Sequence, residues 1–434
     1  MRSARCRSTA RTYSASCRTR AEMSMAAADV VVIGAGPVGM ASALMLAKRD
    51  LQVVLISPCR DRCKIAPHHP HSLLAPVVKV LDEHLPGVLS EVLARGGSLI
   101  DELDGVISEP MQGPRSRKLV KLASRRELLE DALWRATSAN DGVDVAEEPA
   151  QMISSDGEGH AVRLVSGRSL RARIVIDASG AIGSRRVLSA ARDAEPASYV
   201  NPICYFTLWL RGDHGIEHGQ ILHARQAKIL MFRADGDYGA VGVAVHTGLA
   251  ARRHLAARER LLKFIADARR EPSPVNCGKA SEQVLVAGGT TCAFRSTLGP
   301  YGNSLDGYFR TGDALLKTAP IHGRGLALGF THAARLCGSI DHALSLPRAH
   351  AIALHKWERR TLWPWFLSQR ADDARYVGDL AGRTEPPSAT GFWERLQVAA
   401  RSERWAATAI AEIKHLRRLP VEVSADPEIL TRLG

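Results

Sequence analysis

The sequence predicts an α/β fold in three parts: a Rossmann-like domain with a parallel sheet, an antiparallel-sheet domain interleaved with it, and a C-terminal helical cap. Three observations lead to this prediction. Residues 29–47 have the pattern of a buried strand, a glycine-rich turn and a helix of small residues. Residues 200–298 contain short strand-like runs, and the chain after residue 345 is charged and helical in pattern. A chain of 434 residues also exceeds the usual size of one hydrophobic core.

The changes of pattern along the chain set the predicted boundaries. We expect a disordered basic leader over residues 1–25, a dinucleotide-binding domain in two parts (26–199 and 301–345), an antiparallel-sheet domain over 200–300 and a helical region over 346–434. The first twenty residues hold six arginines and no acidic residue. They lack the apolar stretch of a secretory signal, so a disordered or artefactual leader is favoured over a targeting segment.

Composition limits the classes of function. The formal net charge of +13 suits an anionic substrate, a dinucleotide phosphate or an acidic protein partner, and it also promotes solubility. No basic stripe with interleaved aromatic residues occurs, which disfavours nucleic-acid binding. No apolar run of about 18 residues occurs, so no membrane span is predicted. The eight scattered cysteines indicate reduced thiols in a cytoplasmic protein, and Cys59 and Cys63 alone are poor evidence for a metal.

The strongest local signal is the segment DVVVIGAGPVGMASALMLA. Residues 30–33 form a continuous apolar run, as a parallel strand buried on both faces requires. Gly34, Gly36 and Gly39 follow in the spacing G-x-G-x-x-G. These glycines allow a tight turn, the close approach of a pyrophosphate and the close packing of helix against strand. The segment therefore predicts a dinucleotide whose phosphates meet the helix N-terminus.

The second predicted strand, residues 52–56, departs from the usual pattern of such sites. An acidic residue that holds a ribose is expected at its end, but Ser57 stands there. A hydroxyl can still bond the ribose, although more weakly than a carboxylate. The nearby Arg60 leaves a 2′-phosphate, and so NADP, as an alternative at this position.

Two further segments are candidates for contact with a cofactor. The pattern around residues 124–133 predicts a helix with Ser124 as N-cap and Glu127 closing a capping box. Arg126 would then lie in the first turn, where a cation opposes the helix dipole, so it is either a ligand contact or a solvated arginine. Residues 171–177 predict a buried strand that ends at Asp177 and is followed by Gly180, in a loop open to a ligand.

The segment TGDALLKTAPIHGRGLALGF places a carboxylate before a second glycine-rich turn. Gly312 and Asp313 follow a strand-like run, and Pro320, Gly323 and Gly325 lead into an apolar helix. The carboxylate can bond hydroxyl groups, and the helix N-terminus can stabilise negative charge.

Taken in this order, the motifs resemble the FAD-dependent monooxygenases of the p-hydroxybenzoate hydroxylase fold, over about residues 29–345. The resemblance implies that the first glycine turn binds the FAD pyrophosphate, that Arg126 approaches the flavin, and that residues 177–180 lie near FAD and the reduced nicotinamide. It assigns Asp313 to the ribityl chain and residues 323–325 to the pyrimidine edge of the flavin. Ser57 is the clear departure from the family pattern.

The resemblance also implies the activity. In that family NADH or NADPH reduces FAD, oxygen adds at C4a, and the resulting hydroperoxyflavin transfers one oxygen atom to an aromatic ring. We therefore expect hydroxylation of a phenol- or indole-type substrate, either a small metabolite or a tryptophan or tyrosine within a polypeptide. The second branch, which oxidises tryptophan residues in quinone-cofactor biogenesis, would suit an acidic protein partner.

Candidate substrate residues come from the strand-like runs and the histidines. Tyr205, Trp209 and Met231 are candidates to line a pocket, although core packing is the more common role of such residues. His322 is the candidate catalytic base, because histidine titrates near neutral pH. His68, His69 and His71 are weaker candidates, and His322 itself could instead simply fill the turn.

Three competing functions are compatible with the sequence. A flavin-dependent halogenase would use a lysine at about the position of Lys79, but we expect that lysine at the surface, and the halogenase W-x-W-x-I-P signature is missing. The second is an isoprenoid-type flavin reductase, and the third is a non-catalytic FAD-binding protein. Trp357, Trp363 and Trp365 indicate either a helical cap packed on the sheet or a binding surface.

Overall fold

The structure is a computed structural model of the chain. It describes residues 27–58, 69–104, 119–157, 159–181, 183, 197–216, 219–224, 227–268, 280–298, 305–380 and 390–434. The predicted leader, the pair Cys59 and Cys63, Arg60 and His68 lie outside the described residues.

The described elements alternate between strands and helices in the first half of the chain and become helical after residue 324. The strands are β1 (Ala27–Ile33), β2 (Val53–Ile56), β3 (Ser98–Asp101), β4 (Val120–Ala123), β5 (Val143–Ala146), β6 (Ala150–Ser155), β7 (His160–Leu164), β8 (Ser169–Asp177), β9 (Ala197–Arg211), β10 (Gln220–Ala224), β11 (Ala227–Arg233), β12 (Tyr238–His246), β13 (Leu285–Phe294), β14 (Tyr308–Arg310) and β15 (Leu316–Lys317). The helices are α1 (Pro37–Ala47), α2 (Ala75–His84), α3 (Pro86–Ala94), α4 (Arg126–Ser138), α5 (Arg258–Ala268), α6 (Arg324–Gly338), α7 (Ile340–Ser345), α8 (Pro347–Thr361), α9 (Trp363–Leu380), α10 (Thr390–Ala399), α11 (Arg404–Lys414), α12 (Pro420–Ser424) and α13 (Pro427–Leu433).

The first sheet has the strand order β5-β2-β1-β8-β7-β6, and β14 also pairs with β8. Strands β5, β2, β1, β8 and β14 run parallel, whereas β6 and β7 are antiparallel. Val30 and Val32 of β1 pack against the helices on one face, and Val31 and Ile33 pack in the core of the other face. The continuous apolar run is therefore buried on both faces, as predicted.

The second sheet is antiparallel and has the order β10-β11-β12-β9-β13-β15. One of its faces packs on α5 around Leu261 and Ile265. Its edge strand β15 follows β14 of the first sheet by only a few residues, so the segment around Asp313 crosses from one sheet to the other. These two sheets and the helical C-terminal region confirm the predicted fold class.

The C-terminal helices pack on both parts of the molecule. On α9, Trp365 and Phe366 share a core with Phe294 of β13, and Tyr376 donates a hydrogen bond to Ala244 O of β12 (3.0 Å). His415, just after α11, accepts a hydrogen bond from Ala75 N at the start of α2 (2.9 Å). Across the described ranges, no helix combines the length and the apolar character that crossing a membrane requires.

Candidate active site

The first glycine turn meets the strand end of β8. Gly34 has a φ of +105°, and a Cβ at that position would lie 2.6 Å from Ala178 O. A Cβ at Gly39 would lie 1.9 Å from Gly34 O, so both glycines are required by packing within the protein. Gly36 differs, because a Cβ there would meet no described atom within 4 Å. Open space therefore faces Gly36 at the N-terminus of α1, where backbone N–H groups favour an anion.

Ser57 lies at the end of β2 and is fully buried. Its backbone N–H donates to Ala146 O (2.9 Å), but its hydroxyl has no hydrogen-bond partner in the described part of the chain. A buried hydroxyl without a partner is unfavourable by about 1–3 kcal/mol, so the position fits a ligand that supplies one. A ribose hydroxyl bound at this strand end would be such a partner.

The carboxylate of Asp177 is used within the protein. One oxygen accepts from Ser179 N (2.9 Å) and from the Ser179 hydroxyl, and the other accepts from Tyr308 OH (2.6 Å). Asp177 therefore fixes the turn after β8 rather than presenting a free carboxylate. Gly180 follows in this turn with a φ of +77°, and among the described atoms none lies within 4 Å of a Cβ built there.

The second glycine turn brings Asp313 opposite a helix start. A Cβ at Gly325 would lie 3.8 Å from Asp313 Oδ1, so no side chain separates this carboxylate from the first turn of α6. Gly323, with a φ of +64°, is the N-cap of that helix, and α6 has no capping side chain of its own. The positive end of the helix dipole therefore lies beside Asp313, and the Thr318 hydroxyl borders the same space, 3.5 Å from a Cβ built at Gly325.

Asp313 borders the space in front of Gly325, which is called the cleft below. Its side chain is accessible to water, yet protein surrounds it at longer range, and this burial raises the pKa of Asp313. The positive charges of Lys317, Arg126 and Arg295 act in the opposite direction on that pKa. Gly312, before it, packs against Val38 of α1, which joins this turn to the first glycine turn.

Arg126 is the first residue of α4. It pairs with Glu130 (2.6 Å), and its Nη1 donates to His71 Nε2 (3.4 Å). The predicted capping box of Ser124 and Glu127 is wrong: Arg125 is the N-cap, and the Ser124 hydroxyl donates to Arg125 O (3.0 Å). The reason is that Asp235, from the turn between β11 and β12, accepts a hydrogen bond from Arg125 N (2.5 Å) and takes the place of a local cap.

A short loop at residues 69–72 links three parts of the site. His69 Nδ1 lies 3.1 Å from Thr207 Oγ1 of β9, and His71 contacts Arg126. A Cβ at Gly323 would lie 2.7 Å from Ser72 Cβ, so this loop also touches the start of α6. From the sequence these histidines were weak candidates, because only their proximity to a motif indicated a role.

His322 stands in the 3-10 turn Pro320–His322, directly before α6. Its Nε2 lies 3.9 Å from Asp372 Oδ2, and about 32% of its side chain is accessible. Burial among protein atoms, together with the positive charges of Arg324 and Lys228, lowers the pKa of His322 well below its ordinary value. These surroundings favour the neutral form of the imidazole.

Arg324, the buried residue that follows the turn of His322, was not predicted to have a role. Arg324 donates to Asp372 (3.1 Å) and to Gln369 (3.3 Å), and its guanidinium lies 5.3 Å from the Trp365 ring centre. All three partners belong to α9, so a C-terminal helix holds the residue between Gly323 and Gly325 in place. No local sequence signal pairs residue 324 with a helix that starts forty residues later.

The antiparallel sheet turns one face toward this cleft. Tyr205, Thr207 and Trp209 alternate along β9, opposite the small residues Ala244, Gly242 and Ala240 of β12. Tyr205 packs with Leu230 and with Ile321, the neighbour of His322. This face of the sheet is called the trough below, and Tyr376 of α9 packs on it beside Tyr205 and Ala244.

Met231, a candidate for the pocket or for the core, is a core residue. It packs with Leu208, Val243 and Ile265 on the side of α5. Its neighbours on β11, Leu230 and Phe232, point to the trough instead, because side chains alternate along a strand. They form an aromatic and aliphatic wall that was not predicted from the sequence.

Two glycine-rich turns at helix N-termini, an unpaired hydroxyl at a strand end and a cleft below an antiparallel sheet define a dinucleotide-dependent flavoprotein. Residues 29–228 match the family model described as FAD dependent oxidoreductase. This match identifies the N-terminal part of the chain as an FAD-dependent oxidoreductase domain. No curated protein sequence matches the chain.

Solved structures share the fold. PqsL of Pseudomonas aeruginosa, described as a probable FAD-dependent monooxygenase, has a TM-score of 0.66 and 20% identity, over 82% of this chain and 99% of that chain. The peptidyl tryptophan dihydroxylase QhpG has a TM-score of 0.53 and 19% identity, over 83% of this chain and 77% of that chain. The flavin-dependent brominase Bmp2 has a TM-score of 0.59 and 16% identity, over 89% of this chain and 97% of that chain. At such identities the likeness shows the fold and leaves the substrate open.

Proposed function

We propose that the chain is an FAD-dependent monooxygenase that uses NADH or NADPH and molecular oxygen to hydroxylate an aromatic, phenol- or indole-type substrate. One observation carries the proposal. The carboxylate of Asp313 faces Gly325 in the first turn of α6, and the trough of the antiparallel sheet lies next to this turn through the contact between Ile321 and Tyr205. We infer that the flavin ring would lie beside Asp313 and that the aromatic substrate would bind on the side of the trough.

The residues present fit FAD. Gly34, Gly36 and Gly39 would receive its pyrophosphate, and Ser57 would bond the adenosine ribose. Asp313 would bond the ribityl hydroxyls, and Gly312, Pro320, Gly323 and Gly325 would shape the turns around the flavin ring, with Arg126 and Gly180 at its edges. The bound group supplies electron transfer from the nicotinamide to oxygen, and the protein supplies orientation and exclusion of water.

We assign the proton chemistry of the substrate to His322. A phenol or indole becomes more electron-rich when its O–H or N–H proton is withdrawn, and a neutral imidazole can accept that proton. His322 Nε2 lies 3.9 Å from Asp372 Oδ2, and this carboxylate would stabilise the imidazolium that forms on proton transfer. His322→Gln should lower kcat by about 100-fold or more if this role is right, while FAD binding is retained.

The trough supports an aromatic substrate. Its walls include Tyr205, Trp209 and Phe232, and rings prefer the edge-to-face and offset contacts that such walls offer. PqsL, which shares the fold, has been solved in complex with the aromatic compound 2-aminobenzoylacetate. A carboxylated or amino-substituted ring is therefore a useful first probe.

The decisive experiment begins with the absorption spectrum of the purified protein, with and without added FAD. NADH and NADPH oxidation is then measured with a panel of phenols, indoles and anilines, and the product is examined for one added oxygen atom by mass spectrometry. Substrate-stimulated oxidation with an oxygenated product supports the proposal. A protein that stays colourless after reconstitution with FAD would overturn it.

A peptide-bound substrate is a second candidate, because one surface suits an acidic protein. Lys356, Arg359, Arg360 and Arg370 are exposed along α8 and α9, and Arg359 stacks on Trp363 at 4.2 Å. QhpG, named as a peptidyl tryptophan dihydroxylase, shares the fold. Recovery of an acidic protein with an oxidised tryptophan from native extract would favour this branch, and oxidation of free aromatics alone would argue against it.

Halogenation is an alternative, because the flavin-dependent brominase Bmp2 shares the fold. Lys79, at the position that a halogenase lysine would take, lies on α2 with 66% of its side chain exposed and pairs with Glu83 (3.9 Å). This exposure favours the hydroxylase. Adding chloride or bromide to the assay separates the two reactions, since a halogenated product would contradict hydroxylation as the main activity.

A further inference from the structure

The helix that carries Arg126 is capped by a residue of the other sheet. Arg125 N donates to Asp235 Oδ1 (2.5 Å), and the Arg125 guanidinium donates to Asp235 Oδ2 through Nε (3.0 Å) and Nη2 (2.8 Å). Asp235 lies in the turn between β11 and β12, and only 4% of its side chain is exposed. One buried carboxylate thus binds both the backbone and the side chain of the N-cap of α4.

Further contacts hold the same turn in place. The Arg125 guanidinium lies 3.7 Å from the ring centre of Tyr238, the first residue of β12. Gly236 N donates to Gly96 O, just after α3 (2.9 Å), and a Cβ at Gly96 would lie 3.1 Å from Gly236 N. The turn therefore rests on the two helices α3 and α4 through a charged pair, an aromatic ring and a backbone hydrogen bond.

Electrostatics explains why α4 needs this partner. The helix starts with Arg125 and Arg126, and two cations at a helix N-terminus oppose its dipole. No capping side chain from its own segment is present in the described structure. The Asp235 carboxylate supplies the missing acceptor and adds its negative charge to that of Glu127 in the first turn.

Arg126 is the residue that this arrangement places in the cleft. Its charge acts on Asp313, and it contacts His71 and Glu130. Because Arg126 directly follows the capped residue, the position of its Cα depends on the bond between Arg125 and Asp235. Asp235 also terminates β11, the strand that carries Phe232 and Leu230 of the trough.

We propose that Asp235 is a positioning residue that couples the substrate-facing trough to Arg126 in the cofactor cleft. A ligand that shifts β11 and β12 shifts Asp235, and Asp235 moves the start of α4 and so Arg126. The inference rests on the proposed function in one respect, namely that FAD occupies the cleft beside Arg126.

The test compares Asp235→Asn with Asp237→Asn. Asp237 lies in the same turn, but 53% of its side chain is exposed, and it pairs with the exposed Arg211 at 3.5 Å, so it is a matched control. For Asp235→Asn we expect the Kd for FAD, measured by flavin fluorescence, to rise about tenfold. We also expect the change in the flavin spectrum on addition of a bound aromatic to shrink, whereas Asp237→Asn should match the wild type in both.

Additional variants separate coupling from a structural role. Arg125→Gln removes the side-chain bonds to Asp235 and keeps the backbone bond, so it should lower FAD affinity in the same direction as Asp235→Asn, and the double variant should lose less than the sum of the two single variants. A lower Tm of the apo protein with unchanged Kd and unchanged spectral response would overturn the proposal, as would equal behaviour of the two Asn variants. If the wild type itself binds no FAD, the proposed function fails instead, so the two failures are distinguishable.

Discussion

The two ends of the candidate site are built in different ways. At the dinucleotide end, Gly34, Gly36 and Gly39 belong to one segment, and each acts through its own backbone. At the substrate end, His71, Asp235, Arg324 and Asp372 come from separate parts of the chain and act through side-chain contacts that span 55, 110 and 48 residues. The first end depends on local sequence, whereas the second depends on how the helices and the antiparallel sheet dock.

The largest effect is expected from a variant that disrupts the first glycine turn. In Gly39→Ala the new Cβ would lie 1.9 Å from Gly34 O, and backbone atoms cannot move away without opening the turn. We expect the apo protein to lose about 3 kcal/mol or more of unfolding free energy, measured by denaturant titration. A Gly39→Ala variant as stable as the wild type would show that the turn adapts, and the contrast between the two ends would weaken.

The next largest effect concerns the second end. Asp372→Asn leaves the buried Arg324 without its charged partner, and breaking such a pair costs about 3 kcal/mol. Arg375→Gln removes another partner of Asp372. The Arg375 side chain is 45% exposed, so this change should cost less than about 1 kcal/mol. Thermal unfolding of both variants is the measurement. Similar costs for the two would indicate that α9 does not hold the turn at Gly323 through Arg324.

Gly36→Ala sharpens the comparison, because it should separate binding from folding. Gly36 has a φ of −74° and a ψ of 173°, which alanine adopts without strain, and a Cβ there meets no described atom within 4 Å. The stability of the apo protein should therefore stay within about 0.5 kcal/mol of the wild type. The Kd for FAD should rise at least about tenfold, because the methyl group occupies the path of the pyrophosphate. Unchanged FAD affinity would contradict the placement of the phosphates.

The sequence predicted the first end well for a physical reason. A glycine that must adopt a positive φ or touch another backbone shows its role through its type and spacing alone, as Gly34 and Gly39 do. The fold class follows from the same signals, because a buried parallel strand and an amphipathic helix are local patterns. Ser57 was harder, since its unpaired hydroxyl becomes visible only when the surrounding strands are assembled.

The second end was missed for two reasons. Strand β11 is buried on both faces between Ile229 and Met231, so no alternation of polar and apolar residues reveals which side chains face the trough, and Met231 stayed a candidate for both the pocket and the core. The cap of α4 was predicted from Ser124, the residue at the right spacing, but Asp235 from the sheet occupies that role. Contacts between distant segments leave no such spacing to detect.

A smaller effect is expected at Ser57. Ser57→Ala removes a buried hydroxyl that has no partner within the described structure, so the apo protein should be as stable as the wild type or slightly more stable. The Kd for FAD should rise about fivefold, which corresponds to about 1 kcal/mol for one lost hydrogen bond. The affinities of the variant and the wild type are compared by isothermal titration. A large loss of stability with no change in Kd would assign Ser57 to the core rather than to the ribose.

A further expected effect is a pH dependence of stability at the docking of α8. His350 is buried edge-on against Phe309 of β14. Its Nδ1 lies 3.3 Å from His342 Nδ1. Burial and this neighbouring histidine lower the pKa of His350 to about 4. Because the pKa in the unfolded chain is about 6.5, the unfolded protein takes up a proton that the folded protein refuses as the pH falls from about 6.5 to about 4. The unfolding free energy should therefore decrease with falling pH across this window and level off below it. His350→Gln cannot take up this proton, so its unfolding free energy should fall less steeply between these pH values. Equal slopes for the two proteins would mean that His350 is hydrated, and that α8 docks on the first sheet less tightly than the burial of His350 indicates.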